Sequence, residues 1–144
     1  MTYFFSTTLP VPFDEGVALA KSALVEEGFG ILTEIDVAAT MKQKLGADFR
    51  PYRILGACNP SLAYQALQVE DRIGTMLPCN VVVQERGPRL VEIAAVDPVA
   101  SMQAVANPLL GRMAAEVQAK LRAVIARLGQ PELLRHEELS PERM

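Results

Sequence analysis

"PCNVVVQERGPRLVEIAAV", residues 78–96, decides the fold. Two apolar runs, Val81-Val82-Val83 and the stretch from Leu90 to Val96, flank a wet segment that carries Glu85, Arg86 and Arg89, with Gly87-Pro88 at its centre. β-Branched residues suit a pleated, packed surface, and a Gly-Pro pair between two such runs is turn chemistry. The stretch therefore predicts two antiparallel strands turning near Gly87-Pro88. The unbroken valine triplet lacks the polar alternation of a half-exposed strand and predicts a central place in the sheet.

Working back from that hairpin, "PYRILGAC" (51–58) reads as a further strand, and Asn59-Pro60 follows it. Asparagine is a good N-cap and proline is preset for the first helical position, so a helix is expected over 60–73, "PSLAYQALQVEDRI", with Leu62, Ala66, Leu67 and Val69 as its apolar set and Gly74 at its end. Further upstream, "TYFFSTTL" (2–9) is a strand candidate ended by Pro10 and Pro12. Residues 13–27 place Phe13, Val17, Ala20 and Leu24 on one helical stripe, and Gly28 stands where a left-handed residue closes a helix. In "FGILTEI" (29–35) strict alternation puts Phe29, Ile31, Thr33 and Ile35 on one side. Asp36 then caps a short helix, "VAATMKQKL", that Gly46 can close.

Downstream, Asp97-Pro98 opens a loop or short helical turn. Asn107-Pro108 repeats the cap-and-proline device and starts the longest helix, 108–128, whose seam is Leu110, Met113, Val117, Leu121, Val124 and Leu128. The order is β-α-β-α-β-α-β-β-α. It is expected to be an α+β fold: one domain over 1–129, a mainly antiparallel sheet with helices on one face, and the long C-terminal helix packed on it. The alternation outside the hairpin leaves a parallel arrangement open. Residues 130–144 read as a charged tail.

Composition narrows the function classes. In 144 residues half are apolar and 22% charged, which is enough for one substantial core. A net charge of −3, no Trp and few aromatics give neither the basic footprint nor the stacking surface of a nucleic-acid binder. The first residues have no basic leader, and no apolar run approaches the ~18 residues of a membrane span. A cytoplasmic location is the default expectation, and cysteines there stay reduced.

The blocks "EEGFGILTEIDVAATMKQKLGADFRPYRILGACNPSLAYQAL" and "LPCNVVVQE", in that order, resemble the domain of unknown function 302 family, small bacterial and archaeal proteins, over roughly Thr2 to Leu128. The resemblance implies a compact α+β domain, similar to the TATA-binding-protein-like arrangement of a curved antiparallel sheet cradling a long helix, and a homodimer. It implies no activity, and fold likeness to a DNA-binding architecture carries no DNA-binding inference.

The only two cysteines, Cys58 and Cys79, each precede an asparagine, Asn59 and Asn80, and each has a proline beside the pair, Pro60 and Pro78. A strand-helix-strand connection could bring both thiols to one end of the sheet. Cys58, just ahead of a helix N-terminus, could then have a lowered pKa and act as a redox thiol with Cys79 as resolving partner. A soft metal held by the pair and completed across a dimer interface is the weaker variant. Against both stands plain packing, because reduced cysteine is among the most buried residue types. The sole histidine, His136, is in the tail, so two thiols amount to half a zinc site and no metal ligands are assigned.

Asn59 is explained as a cap. Asn80 needs a partner, most simply as a tie to the Cys58 loop. Glu34 and Asp36 share one side of a strand, but Asp36 already has its capping role. Lys42, Lys44, Arg50 and Arg53 form the most basic local cluster and are candidate anion contacts, with Tyr52 and Tyr64 expected near them. No glycine-rich phosphate loop or catalytic-triad pattern supports an enzyme assignment, and any cofactor is left unknown by the sequence. The reading is a non-catalytic homodimeric module that binds a small ligand or a partner near Cys58-Asn59-Pro60 and Pro78-Cys79-Asn80. The alternative is a thiol-based redox enzyme or sensor.

Overall fold

The computed structural model describes residues 2–129. The tail expected over 130–144, with His136, lies outside the described residues. The elements are β1 (Phe4–Leu9), α1 (Phe13–Glu26), β2 (Gly30–Asp36), α2 (Val37–Leu45), β3 (Tyr52–Cys58), α3 (Pro60–Val69), a 3-10 helix (Asp71–Met76), β4 (Cys79–Gly87), β5 (Leu90–Val96), α4 (Pro98–Ser101) and α5 (Pro108–Leu128). The strands form one five-stranded open sheet in the order β1-β5-β4-β3-β2. All four pairings are antiparallel, which removes the parallel alternative and establishes the α+β class.

The valine triplet lies in the middle strand, β4, as its pattern predicts. β4 turns through Gly87 into β5, with a register irregularity between Glu85 and Gly87. β1 pairs on the far side of β5 and β2 on the far side of β3, so α1 must cross the whole sheet to connect its two edges. Gly16 permits that crossing to be close, because a Cβ there would lie 2.9 Å from Cγ1 of Val91 in β5.

Both long helices, α1 and α5, pack on the same face. Directly paired residues share a face, so the register sorts the side chains. Cys79, Val81 and Val83 of β4, Val91, Ile93 and Ala95 of β5, and Leu55 and Ala57 of β3 point into the core. Leu24 from α1 and Leu121, Val124 and Leu128 from α5 close over them, all fully buried. Arg127 joins the C-terminal ends of the two helices by pairing with Glu26 and, at 3.1 Å, with Glu27.

Among the described residues, neither α1 nor α5 covers the other face. Its rows are Thr8-Glu92-Gln84-Tyr52, Ser6-Ala94-Val82-Ile54-Ile35, and Phe4-Val96, with Asn80 opposite Gly56 and Gly56 opposite Thr33. Val82, Ala94, Ile54, Phe4 and Val96 on it are half-buried, and Ile35 is exposed.

Two local expectations are corrected. A register shift between Ile31 and Thr33 breaks the alternation of β2. Ile31 pairs with core-facing Ala57, whereas Thr33 and Ile35 pair with Gly56 and Ile54 of the open face, so the four residues do not share a side. The helix expected over 60–73 stops at Val69, where Glu70 is extended (φ −152°, ψ 98°). The Glu70 carboxylate accepts from Arg72 N and caps a separate 3-10 helix. A tertiary bond holds the break: Asn107 Nδ2 donates to the carbonyl of Val69 at 3.2 Å.

Candidate functional site

Cys58 ends β3, and Cys79 begins the neighbouring β4. Because Cys79 pairs with Ala57, the residue before Cys58, the register brings the two thiol-bearing positions side by side. Both line one pocket of about 40 Å³, walled by α3, α5 and the segment leading into β4. Its lining is apolar, with Leu62, Leu110 and Val117 among the contributors, and Asn59 is its one polar amide. Met102 and Met113 also border it. Cys79 is buried and Cys58 half-buried, and both are free thiols.

Asn59 performs the local task expected of it: its Oδ1 accepts from Leu62 N at 3.1 Å, and Pro60 opens α3. The thiols do not gain the acidity that a helix N-terminus can provide. Burial pushes Cys58 up from its ordinary value of 9.0. Burial first, and then the charge of Cys58, push Cys79 up to about 11. Both are thiols rather than thiolates at neutral pH, which is opposite to the direction an activated nucleophile needs.

Asn80 is not part of this pocket. It is exposed on the open face, and among the described residues no side-chain hydrogen bond ties it to the Cys58 loop. It borders instead a shallow recess of about 380 Å³ together with Tyr3, Phe4, Tyr52, Val82 and Gln84.

The basic cluster is dispersed. Arg50 reaches the open face, where its Nε donates to Gln84 Oε1 at 2.9 Å and its guanidinium lies 4.6 Å from the Phe49 ring centroid. Arg53, in β3 opposite core-facing Val83, is on the helix side of the sheet. There it pairs with Glu34 at 2.5 Å and Asp36 at 3.8 Å and lies over the Phe13 ring. Lys21 joins Glu34 at 2.6 Å, and the Lys21 and Arg53 hydrogen bonds hold the Glu34 carboxyl below its ordinary value. Lys42 pairs with Asp48 at 3.0 Å, and Lys44 is exposed in the last turn of α2. The four cations therefore do not converge on one anion. Tyr52 stands beside Arg50, but Tyr64 is on α3 and exposed.

Sequence reading passed over a buried, doubly bonded polar group of the open face. Gln84 is only 8% exposed; it accepts from Arg50, and its Nε2 donates to Glu92 Oε1 at 3.0 Å. Arg86 donates to the same Glu92 oxygen at 3.1 Å. A glutamine closing a valine triplet was the available signal, because parity places it with Val82 rather than with the core.

These features define a class: an antiparallel α+β domain with one helix-covered sheet face, a second face left open among the described residues, and a thiol-lined apolar pocket at the strand ends. The chain belongs to the family described as "Domain of unknown function DUF302", whose model matches residues 5–128. Its fold is similar to that of an uncharacterised conserved DUF302 protein from Bacillus stearothermophilus, at 27% identity and a TM-score of 0.81, covering 89% of this chain and 99% of that one. No match is found among curated proteins. Among the described residues no helix is long and apolar enough to cross a membrane.

Proposed function

We propose that the protein is a non-catalytic interaction module that pairs with a second copy of itself through the open face of its sheet. The observation that carries this reading is the row Ala94-Val82-Ile54-Ile35, an apolar band on a face that none of the core helices covers. Phe4 and Val96 extend it, and the polar row Thr8-Glu92-Gln84-Tyr52 borders it. An apolar centre with a polar rim is the anatomy of a protein interface.

One feature favours a second copy over an unlike partner. Arg86 and Glu92 put both signs side by side on the face, and a mixed patch can complement its own two-fold image where a patch of one sign repels it. Size sets how much of the face such a pair must use. Strands ~4.8 Å apart with a rise of ~3.3 Å per residue make a face roughly 20 Å on a side, and a standard interface buries about 800 Å² per partner. A stable pair therefore needs the whole face, with the recess beside Tyr3 and Asn80 enclosed between the copies. Pairing through the β2 edge is disfavoured by its register shift and by Glu34 and Asp36, which blunt that edge.

The pocket at Cys58 is a poorer place for a small organic ligand, since its volume of about 40 Å³ is far below the ~300 Å³ at which such sites begin. The raised thiol pKa values weigh against a redox enzyme. The test is sedimentation velocity across a concentration series, with Val82→Glu as the variant and circular dichroism to verify its fold. A wild-type dimer that becomes a folded monomer on substitution supports the reading. A wild-type monomer at hundreds of micromolar, or a dimer that Val82→Glu leaves intact, overturns it.

A further inference from the structure

Both cysteines of the chain and two of its six methionines border the same small pocket. The donors come from four separate places in the chain: Cys58 from the end of β3, Cys79 from the start of β4, Met102 from the residue after α4, and Met113 from the second turn of α5. Among the pocket's side chains no carboxylate, imidazole or ammonium is present, and the amide oxygen of Asn59 is already engaged with Leu62 N.

We infer that the pocket bounded by Cys58, Cys79, Met102 and Met113 is a binding site for a soft monovalent cation of the Cu(I) type, held by the two thiolates with thioether support from within one chain. Donor chemistry selects the ion. Thiolate and thioether sulfur prefer Cu(I), whereas Mg²⁺ and Ca²⁺ require oxygen ligands that this lining lacks. Structural zinc calls for four Cys or His donors, of which two are present here. A bare ion also fits a space that excludes an organic ligand.

Packing alone is the competing explanation, because methionine commonly fills irregular core gaps. Here, however, a gap remains beside the sulfur-bearing residues, and Cys58, Met102 and Met113 are only half-buried. The chemistry balances without any redox step: two thiols and one Cu⁺ give a dithiolate complex of charge −1 and two protons.

The experiment is an anaerobic titration of the reduced full-length chain with Cu(I) in competition with a chromophoric chelator, accompanied by proton-release measurements. The expected result is about one Cu(I) per chain with about two protons released, and an affinity that rises with pH. Cys58→Ser should weaken binding by roughly 100-fold or more, and the volume-conserving Met102→Leu and Met113→Leu changes by about 10-fold each while leaving the fold intact. The folded monomeric Val82→Glu variant should bind as the wild type does, which separates this site from the dimer reading. Absence of uptake, tighter binding of Zn(II) than of Cu(I), unchanged affinity in both methionine variants, or uptake confined to dimers overturns the assignment.

Discussion

A Cβ on Gly56 would lie 2.1 Å from Oγ1 of Thr33 and 2.7 Å from Cγ of Pro78. These two residues fill the space that glycine leaves on the open side of β3, where Gly56 pairs with Thr33 across to β2 and with Asn80 across to β4. Any side chain at 56 must push aside the Thr33 side chain and the Pro78 ring. Gly56→Ala should therefore destabilise the fold by about 1–3 kcal/mol, the usual cost of overpacking. Thr33→Ala in the same chain should recover part of the loss and leave the Pro78 contact uncompensated. Urea denaturation of the two single variants and the double variant measures this, and purely additive effects would show that the two residues do not compete for one space.

Stability should fall in the alkaline range because of Cys79. Its folded pKa is raised from 9.0 to about 11 by burial and by Cys58, so the folded state retains a proton that the unfolded chain gives up first. The stabilisation is complete below pH 9 and is lost as pH rises towards 11. Such a shift corresponds to roughly 2–3 kcal/mol. Cys79→Ala should be less stable at pH 7 and should lose the steep decline between those limits. Guanidinium melts at pH 7, 9 and 10.5 decide it; an alkaline slope equal in both proteins would assign the effect to other groups.

What could be read from the sequence follows the range of each interaction. The Asn59-Pro60 and Asn107-Pro108 starts were legible because a cap and its helix lie within three residues of each other, and both asparagines accept the expected backbone N–H bonds. The central hairpin was legible because turn chemistry and β-branched runs are local as well. The end of α3 was not, since it depends on a bond to Asn107, 38 residues away in sequence. The phase of β2 was lost through one inserted residue, which no alternation pattern reveals. The separation of Arg50 from Arg53 could have been derived, because Tyr52 and Arg53 are successive strand residues and must face opposite ways. That Cys58 and Cys79 border one end of the sheet was anticipated from strand order, but Met102 and Met113 reach the same pocket only through the packing of α4 and α5.

Asn107 serves two elements at once. Its Oδ1 accepts from Leu109 N at 3.0 Å to cap α5, and its Nδ2 donates to the Val69 carbonyl that ends α3. Asn107→Ala removes both and should cost about 1–2 kcal/mol. Asn107→Asp keeps the capping acceptor but loses the donor, so it should fall between the wild type and the alanine variant. Thermal melts rank the three proteins, and equal stability of the aspartate and wild-type proteins would mean that the bond to Val69 contributes nothing.

Acid should loosen the edge where β2 and β3 meet α1 once pH falls below the ordinary carboxylate range. Lys21 and Arg53 hold Glu34 ionised by hydrogen bonds and charge, so its folded pKa is lowered from the ordinary 4.5. A carboxyl depressed in this way stabilises the fold above pH 4.5, and the contribution disappears as pH falls through the folded value. Because the group is partly exposed, solvent and salt screen it, and the effect should shrink at high ionic strength. Glu34→Gln should consequently flatten the acid limb of the stability profile at low salt and change it little in half-molar salt. Urea midpoints from pH 6 down to pH 3 at both ionic strengths provide the comparison. If wild type and Glu34→Gln lose stability in parallel at low salt, the triad of Lys21, Glu34 and Arg53 is a surface arrangement without energetic weight, and acid sensitivity must come from another carboxyl.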